Sequence, residues 1–140
     1  MDLIQCPPRI AEALDLKEGQ KVIQVKRKRS DNSEPVSFVK NYLSADIGEK
    51  ITIEDLQKHS MQHVLKNKLG INLKKGVQYI QAISADYEIA AALTVNMSAP
   101  VIYIDSVVFT KDEKPVEYVQ SFYRSDRYKY TLNIGLDEIK

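Results

Sequence analysis

Residues 21–44 read KVIQVKRKRSDNSEPVSFVKNYLS. Successive side chains of an extended chain point to opposite sides, so Ile23, Val25, Arg27 and Arg29 share one face of a strand. Val22, Gln24, Lys26 and Lys28 share the other. Asp31-Asn32-Ser33 is turn chemistry, and PVSFVKNYLS after it is a second strand. The spacing predicts a β-hairpin.

Upstream of the hairpin, Pro7 and Pro8 precede IAEALDL. Ile10, Ala13 and Leu14 recur at helical spacing and Gly19 stops the segment, which predicts a short helix. Downstream, Thr52 with Asp55 three residues on resembles a capping box with Asp in the usual Glu position. A helix over IEDLQKH follows. Ser60 is a second N-cap, with Met61, Val64, Leu65 and Leu69 on one stripe and Gly70 at the C′ position. Gly76 opens a strand, VQYIQAIS, and ADYEIAAAL has helical propensity. Pro100 begins VIYIDSVVFT, which turns at Lys111-Asp112-Glu113-Lys114 into PVEYVQSFYR. Residues Tyr128 to Ile134 are expected to add a last strand. The order α, β, β, α, α, β, α, β, β, β, with short turns between neighbouring strands, predicts an α+β domain: a mostly antiparallel β-sheet flanked by helices. No repeat, low-complexity tract or linker divides residues 1–140, so a single domain is expected.

The composition narrows the function classes. The formal net charge is +1, so no basic footprint for nucleic acid exists across the chain. Cys6 is the one cysteine, which excludes an internal disulfide and fits a reducing compartment. No apolar run approaches the ~20 residues of a membrane span, and MDLIQCPPR is not a signal peptide. A cytoplasmic protein with no membrane partner is expected.

The arginine strand is the most informative candidate site. Its apolar face turns basic at Arg27 and Arg29. Burying unpaired charge is costly, so these guanidiniums need an anionic partner. That partner is either a ligand phosphate or carboxylate, for which the planar fork is suited, or an acidic residue on a neighbouring strand; otherwise the two side chains snorkel to water at the strand end. Ser60, at a helix N-terminus, can cap the helix or face an anion. Glu117, Val119, Ser121 and Tyr123 share one face of their strand. Glu117 can accept hydrogen bonds from sugar hydroxyls or an amine, and Tyr123 can donate one; a solvated face is the alternative. Asp105, inside VIYIDSVVF, fits a salt bridge to an arginine better than a ligand contact. His59 and His63 lie four apart without a well-placed third ligand, so no metal site is expected. No GxSxG, Walker or dinucleotide motif is present, no cofactor is implied, and no catalytic residues stand out. The run Lys26-Arg27-Lys28-Arg29 is split between two faces by the alternation.

Taken together, VKRKRSDNSEPVSFVKNYL resembles the two-strand motif of the UTRA domain (UbiC transcription regulator-associated), with two alternating arginines, a turn, Glu-Pro and a strand ending in Tyr-Leu. DLQKHSMQHVL resembles that domain's helix with its leading serine, and KPVEYVQSFYRSDRYKYTL matches its closing segment. IAEALDLKEGQKVIQV resembles its opening helix and first strand, so the resemblance spans the chain in the family's order. It implies a chorismate lyase-like fold. It also implies the sensing half of a GntR-type, HutC-like transcription regulator, with a winged helix-turn-helix that binds operator DNA outside this chain. Such a half binds a small, often anionic effector such as a sugar phosphate, and makes a homodimer contact. By motif, Arg27, Arg29 and Ser60 fall at the family's anion-binding positions, and Glu117 and Tyr123 at positions contacting the rest of the effector. Two departures exist. Val39 stands where amino-sugar-phosphate binders often have glutamate, and Gln62 where tyrosine is common; both changes remove polar contacts to a hexosamine. A ligand-free dimerisation module and a chorismate lyase-like enzyme are the rival readings, since fold does not carry function.

Overall fold

Each predicted hairpin forms, and the hairpins join into one sheet. The computed structural model of the chain describes residues 1–136; residues 137–140, part of the expected single domain, lie outside the described residues. The elements are β1 (Asp2–Gln5), α1 (Pro8–Leu14), β2 (Lys21–Asp31), β3 (Glu34–Ser44), α2 (Ala45–Gly48), α3 (Ile53–Lys58), α4 (Met61–His63), β4 (Leu73–Ser84), α5 (Tyr87–Leu93), β5 (Pro100–Thr110) and β6 (Pro115–Arg124). Helix α4 runs on into a π-helical turn over Val64–Lys68. The six strands lie in the order β1-β2-β3-β6-β5-β4, and each neighbouring pair is antiparallel. The α+β expectation holds.

Local chemistry explains the turns and caps. Asn32 and Ser33 both have positive φ, at 49° and 66°, as the two central residues of a type I′ hairpin turn require. The Thr52 capping box is complete: Thr52 Oγ1 accepts from Asp55 N–H, and the Asp55 carboxylate accepts from Thr52 N–H. Gly70, at φ +66°, ends the α4 segment in the left-handed region that suits glycine.

Helices cover both faces of the sheet. On the arginine face, Ile23, Val25, Leu43 and Val108 pack with Ile51, Met61, Val64 and Leu65, and Ile47 and Leu56 of α2 and α3 lie against this cluster. On the opposite face α1 and α5 hold separate clusters, one around Leu14, Val22, Tyr42 and Tyr118, the other around Phe38, Leu93, Tyr103 and Phe122. Double coverage is why Val22 and Ile23, neighbours on opposite faces, are both buried.

Three features depart from expectation. Residues 128–134 do not form a strand. Both edges of β6 are taken by β3 and β5, and the segment crosses the sheet face instead. Tyr128 stacks on Tyr123 at 3.9 Å, and Tyr130 Oη donates to Gln78 Oε1 of β4 at 3.3 Å. β1, unforeseen in a stretch of only four residues, is held as an edge by pairing with β2. Helix α2 was also unforeseen; one turn over ADIG carries no periodic signal. No helix among the described residues is long and apolar enough to cross a membrane.

Candidate functional site

The hairpin register decides what the two arginines meet. Arg27 lies opposite Val39 and Arg29 opposite Ser37 on β3; across β3 these stand opposite Ser121 and Tyr123 of β6. Two adjacent rungs of three strands therefore present Arg27-Val39-Ser121 and Arg29-Ser37-Tyr123 on one face. Helix α3 overhangs them with Leu56 and Gln57. Between helix and rungs lies a cavity of about 580 Å³, lined by Arg27, Arg29, Ser37, Val39 and Tyr123, with Lys28 at its margin.

The position of α3 has its own cause. Its first turn is fixed by the capping box, and the Lys68 ammonium of the π-turn reaches the Asp55 carboxylate at 2.6 Å. That ammonium, with Thr52, holds the Asp55 carboxyl down to about 2. The helix is thereby tied at both its start and its neighbour while its Leu56–Gln57 end forms the cavity roof.

Among the described residues neither Arg27 nor Arg29 forms an ion pair, although six other Lys or Arg residues do. Arg27 is half-buried and donates to Asn41 Oδ1 at 3.4 Å; Arg29 is exposed. The acidic-neighbour alternative is therefore not realised for either guanidinium. Lys26, on the other face, bonds Glu88 of α5 at 2.7 Å, so the basic run is divided as the alternation predicts. Asp105 does meet an arginine, Arg9 of α1, at 3.3 Å.

Tyr123 lines the cavity from its far side. The structure does not bring Ser60 or Glu117 to the wall. Ser60 Oγ accepts from His63 N–H at 3.1 Å, a plain N-cap. Glu117 is 1% exposed and accepts from Asn41 Nδ2 at 2.6 Å. Burial pushes its carboxyl up to about 7, against the opposing pull of the Asn41 hydrogen bond and the Arg27 charge. His59 and His63 stack face to face at 4.1 Å, and among the described residues no group of three or more His, Cys, Asp or Glu is placed to hold a metal.

Residue-level reading missed Ser37, Asn41 and Gln57. Asn41 carried a usable signal, a polar residue inside FVKNYL, the same kind of signal that Asp105 gives in its strand. Ser37 and Gln57 carried none, because only pairing register and helix placement bring them to the arginines.

The model of the UTRA domain matches residues 1–129. Among curated proteins the chain is 27% identical over 131 residues to the HTH-type transcriptional regulator Rv0792c of Mycobacterium tuberculosis, covering 91% of this chain and 48% of that protein. It is 24% identical to the HTH-type transcriptional regulator GgaR of Escherichia coli, covering 91% and 50%. The chain thus spans about half the length of the curated relatives it matches. Its fold is that of the ligand-binding domain of a putative GntR-family regulator from Bordetella bronchiseptica, with a TM-score of 0.85 at 24% identity, covering 96% of this chain and 86% of that one. PhnF of Mycobacterium smegmatis shares it at a TM-score of 0.78 and 20% identity, covering 96% and 59%. With a family model matched over nearly the whole sequence, this chain belongs to the UTRA domain family.

Proposed function

We propose that this domain senses an anionic small metabolite, such as a sugar phosphate, for a dimeric HutC-like regulator in the cytoplasm. The observation that carries the reading is a pair of guanidiniums, Arg27 and Arg29, on the wall of a cavity of about 580 Å³ and without an ion pair among the described residues. Charge-assisted hydrogen bonds from each to an acid group contribute about 1.5–3 kcal/mol. Ser37 and Tyr123 add hydroxyls and Gln57 an amide for the rest of the ligand. Ser60 caps its helix and Glu117 lies behind Asn41, so neither is read as a direct contact. Among the described residues the wall presents no carboxylate or imidazole, which favours sensing over a lyase-type reaction. Val39 leaves this part of the wall apolar, which disfavours a hexosamine phosphate.

Operator DNA would be bound by a winged helix-turn-helix outside this chain, and occupancy of the cavity would change the arrangement of two such domains in a homodimer. The free edge of β4 supports the homodimer. This strand of 12 residues is exposed along nearly its whole length, Val77, Tyr79 and Ile80 included. A long exposed edge with apolar side chains is a template for pairing with another chain.

Thermal melts against a panel of phosphorylated sugars and organic acids test the reading. A ligand at about a hundred times its dissociation constant adds about 2.7 kcal/mol of stability. At least one anion is expected to raise Tm, and Arg27→Ala is expected to abolish the rise while the fold persists. A panel without effect, or an effect indifferent to Arg27, would favour a ligand-free dimerisation module.

A further inference from the structure

We infer that Glu117 and Asn41 are positioning residues of the anion site: neither touches the anion, and the Glu117 carboxyl acts on Arg27 through the Asn41 amide, so that anion binding is coupled to uptake of a proton. The inference rests on the anion-binding reading of Arg27. It uses three side chains on the same face of three adjacent strands, β2, β3 and β6. The Asn41 amide stands between the other two. Its Nδ2 donates to Glu117 Oε2 at 2.6 Å and its Oδ1 accepts from Arg27 Nη2 at 3.4 Å. Asn41 is 3% exposed and Glu117 1%, so water is kept from the contact between them. A direct Arg27–Glu117 ion pair would occupy the guanidinium; the amide spacer leaves its remaining donors free for a ligand.

The surroundings make the carboxyl a responsive group. The elements around it contribute apolar side chains: Val25 and Leu43 from β2 and β3, Val108 opposite it on β5, and Met61 and Leu65 from the α4 segment. Among the described residues Arg27 is the charged group that acts on Glu117. His59 and His63, the two histidines of the chain, stack on each other at the exposed side of the α4 segment.

The sign follows from charge. An ionised Glu117 offsets part of the Arg27 field at the cavity, and a protonated Glu117 leaves it whole. Reciprocally, an anion beside Arg27 places a second negative charge near the carboxyl and raises its affinity for a proton. No bond is made or broken apart from this proton, which comes from solvent. Anion binding is therefore tighter at pH 6 than at pH 8.

Calorimetric titration with sulfate, whose charge is constant across this range, tests the coupling. A single coupled proton limits the slope to about tenfold per pH unit. The wild-type affinity is expected to fall about three- to tenfold from pH 6 to pH 8, with Glu117→Gln flat across the same range. Equal slopes in the two proteins would overturn the inference. A flat wild-type profile with binding lost in Arg27→Ala would overturn the coupling and leave the anion site standing. No sulfate binding at pH 6 would overturn both. Should Glu117→Gln fail to fold, wild-type binding enthalpies at pH 7 in buffers of different ionisation heat report the proton directly. Uptake of a fraction of a proton is expected, and zero uptake overturns the inference.

Discussion

Glu117 is the residue whose environment differs most from its sequence context. In PVEYVQSFY it is one of an alternating set; in the fold it is a carboxyl beneath a hydrophobic cluster, pushed up to about 7. Its ordinary value, near 4.5, applies in the unfolded chain. Between the two the folded state holds a proton that the unfolded state has released. Stability from this group is therefore whole below about pH 4.5 and is lost as pH rises through about 7. The gap between these two values corresponds to about 3 kcal/mol. Glu117→Gln keeps the acceptor and removes the charge. It is expected to change stability little at pH 4.5 and to raise it by up to about 3 kcal/mol at pH 8, read from urea unfolding at the two pH values. A penalty for Glu117→Gln that is the same at both pH values would show that the carboxyl does not titrate in this range. At this scale alternation put Arg27, Arg29 and Tyr123 on one face. It had no means of linking Glu117 to Asn41, which are 76 positions apart in the chain.

At the scale of elements, β2 and α2 meet at a single close approach. A Cβ built on Gly48 would lie 2.3 Å from Ile23 Cγ1 and 2.6 Å from Ile23 Cβ. The branch of an isoleucine is not a flexible tip, so α2 itself must move. Overpacking of this kind costs about 1–3 kcal/mol. Gly48→Ala is expected to destabilise by that amount in urea melts, and pairing it with Ile23→Ala should cost less than the sum of the two single changes. Full additivity would mean that the two residues do not press on one another. Most elements were legible because each carries its own punctuation: Thr52 with Asp55, Asp86 as the N-cap of α5, and the turns at 31–34 and 110–114. Elements of four residues, β1 and α2, were not. Such segments hold at most one or two periods of the patterns that betray longer ones, too few for a repeat to show, and packing rather than propensity holds them.

On the scale of the molecule, the segment after β6 is the unfinished part. Tyr128, Tyr130, Leu132, Ile134 and Leu136 alternate as strand residues do, yet Leu132, Ile134 and Leu136 are 61–77% exposed. The segment reaches β4 at Gln78, beside the sheet's free edge. A strand pattern that arrives unpaired beside a free sheet edge fits a second copy of this chain in the proposed homodimer. Leu132→Asp with Ile134→Asp is expected to weaken self-association about thirtyfold or more, a loss of about 2 kcal/mol, in sedimentation equilibrium. A dimer indifferent to both changes would place the contact elsewhere. In an intact regulator the cavity and the operator would be coupled by about 1–3 kcal/mol, and the coupling must act equally in both directions.

The sequence by itself determined the α+β class, the hairpins, the helix caps and the face on which both arginines stand. These follow from side-chain period and turn chemistry, which act over a few residues. The tertiary structure alone decided that Arg27 and Arg29 form no ion pair among the described residues, that Ser60 caps its helix away from the cavity wall, and that Glu117 lies behind Asn41. It also decided that residues 128–134 lie against the sheet face instead of forming a strand. Each of these depends on which strands become neighbours and in what register, and that is set by burying apolar faces contributed from the whole length of the chain.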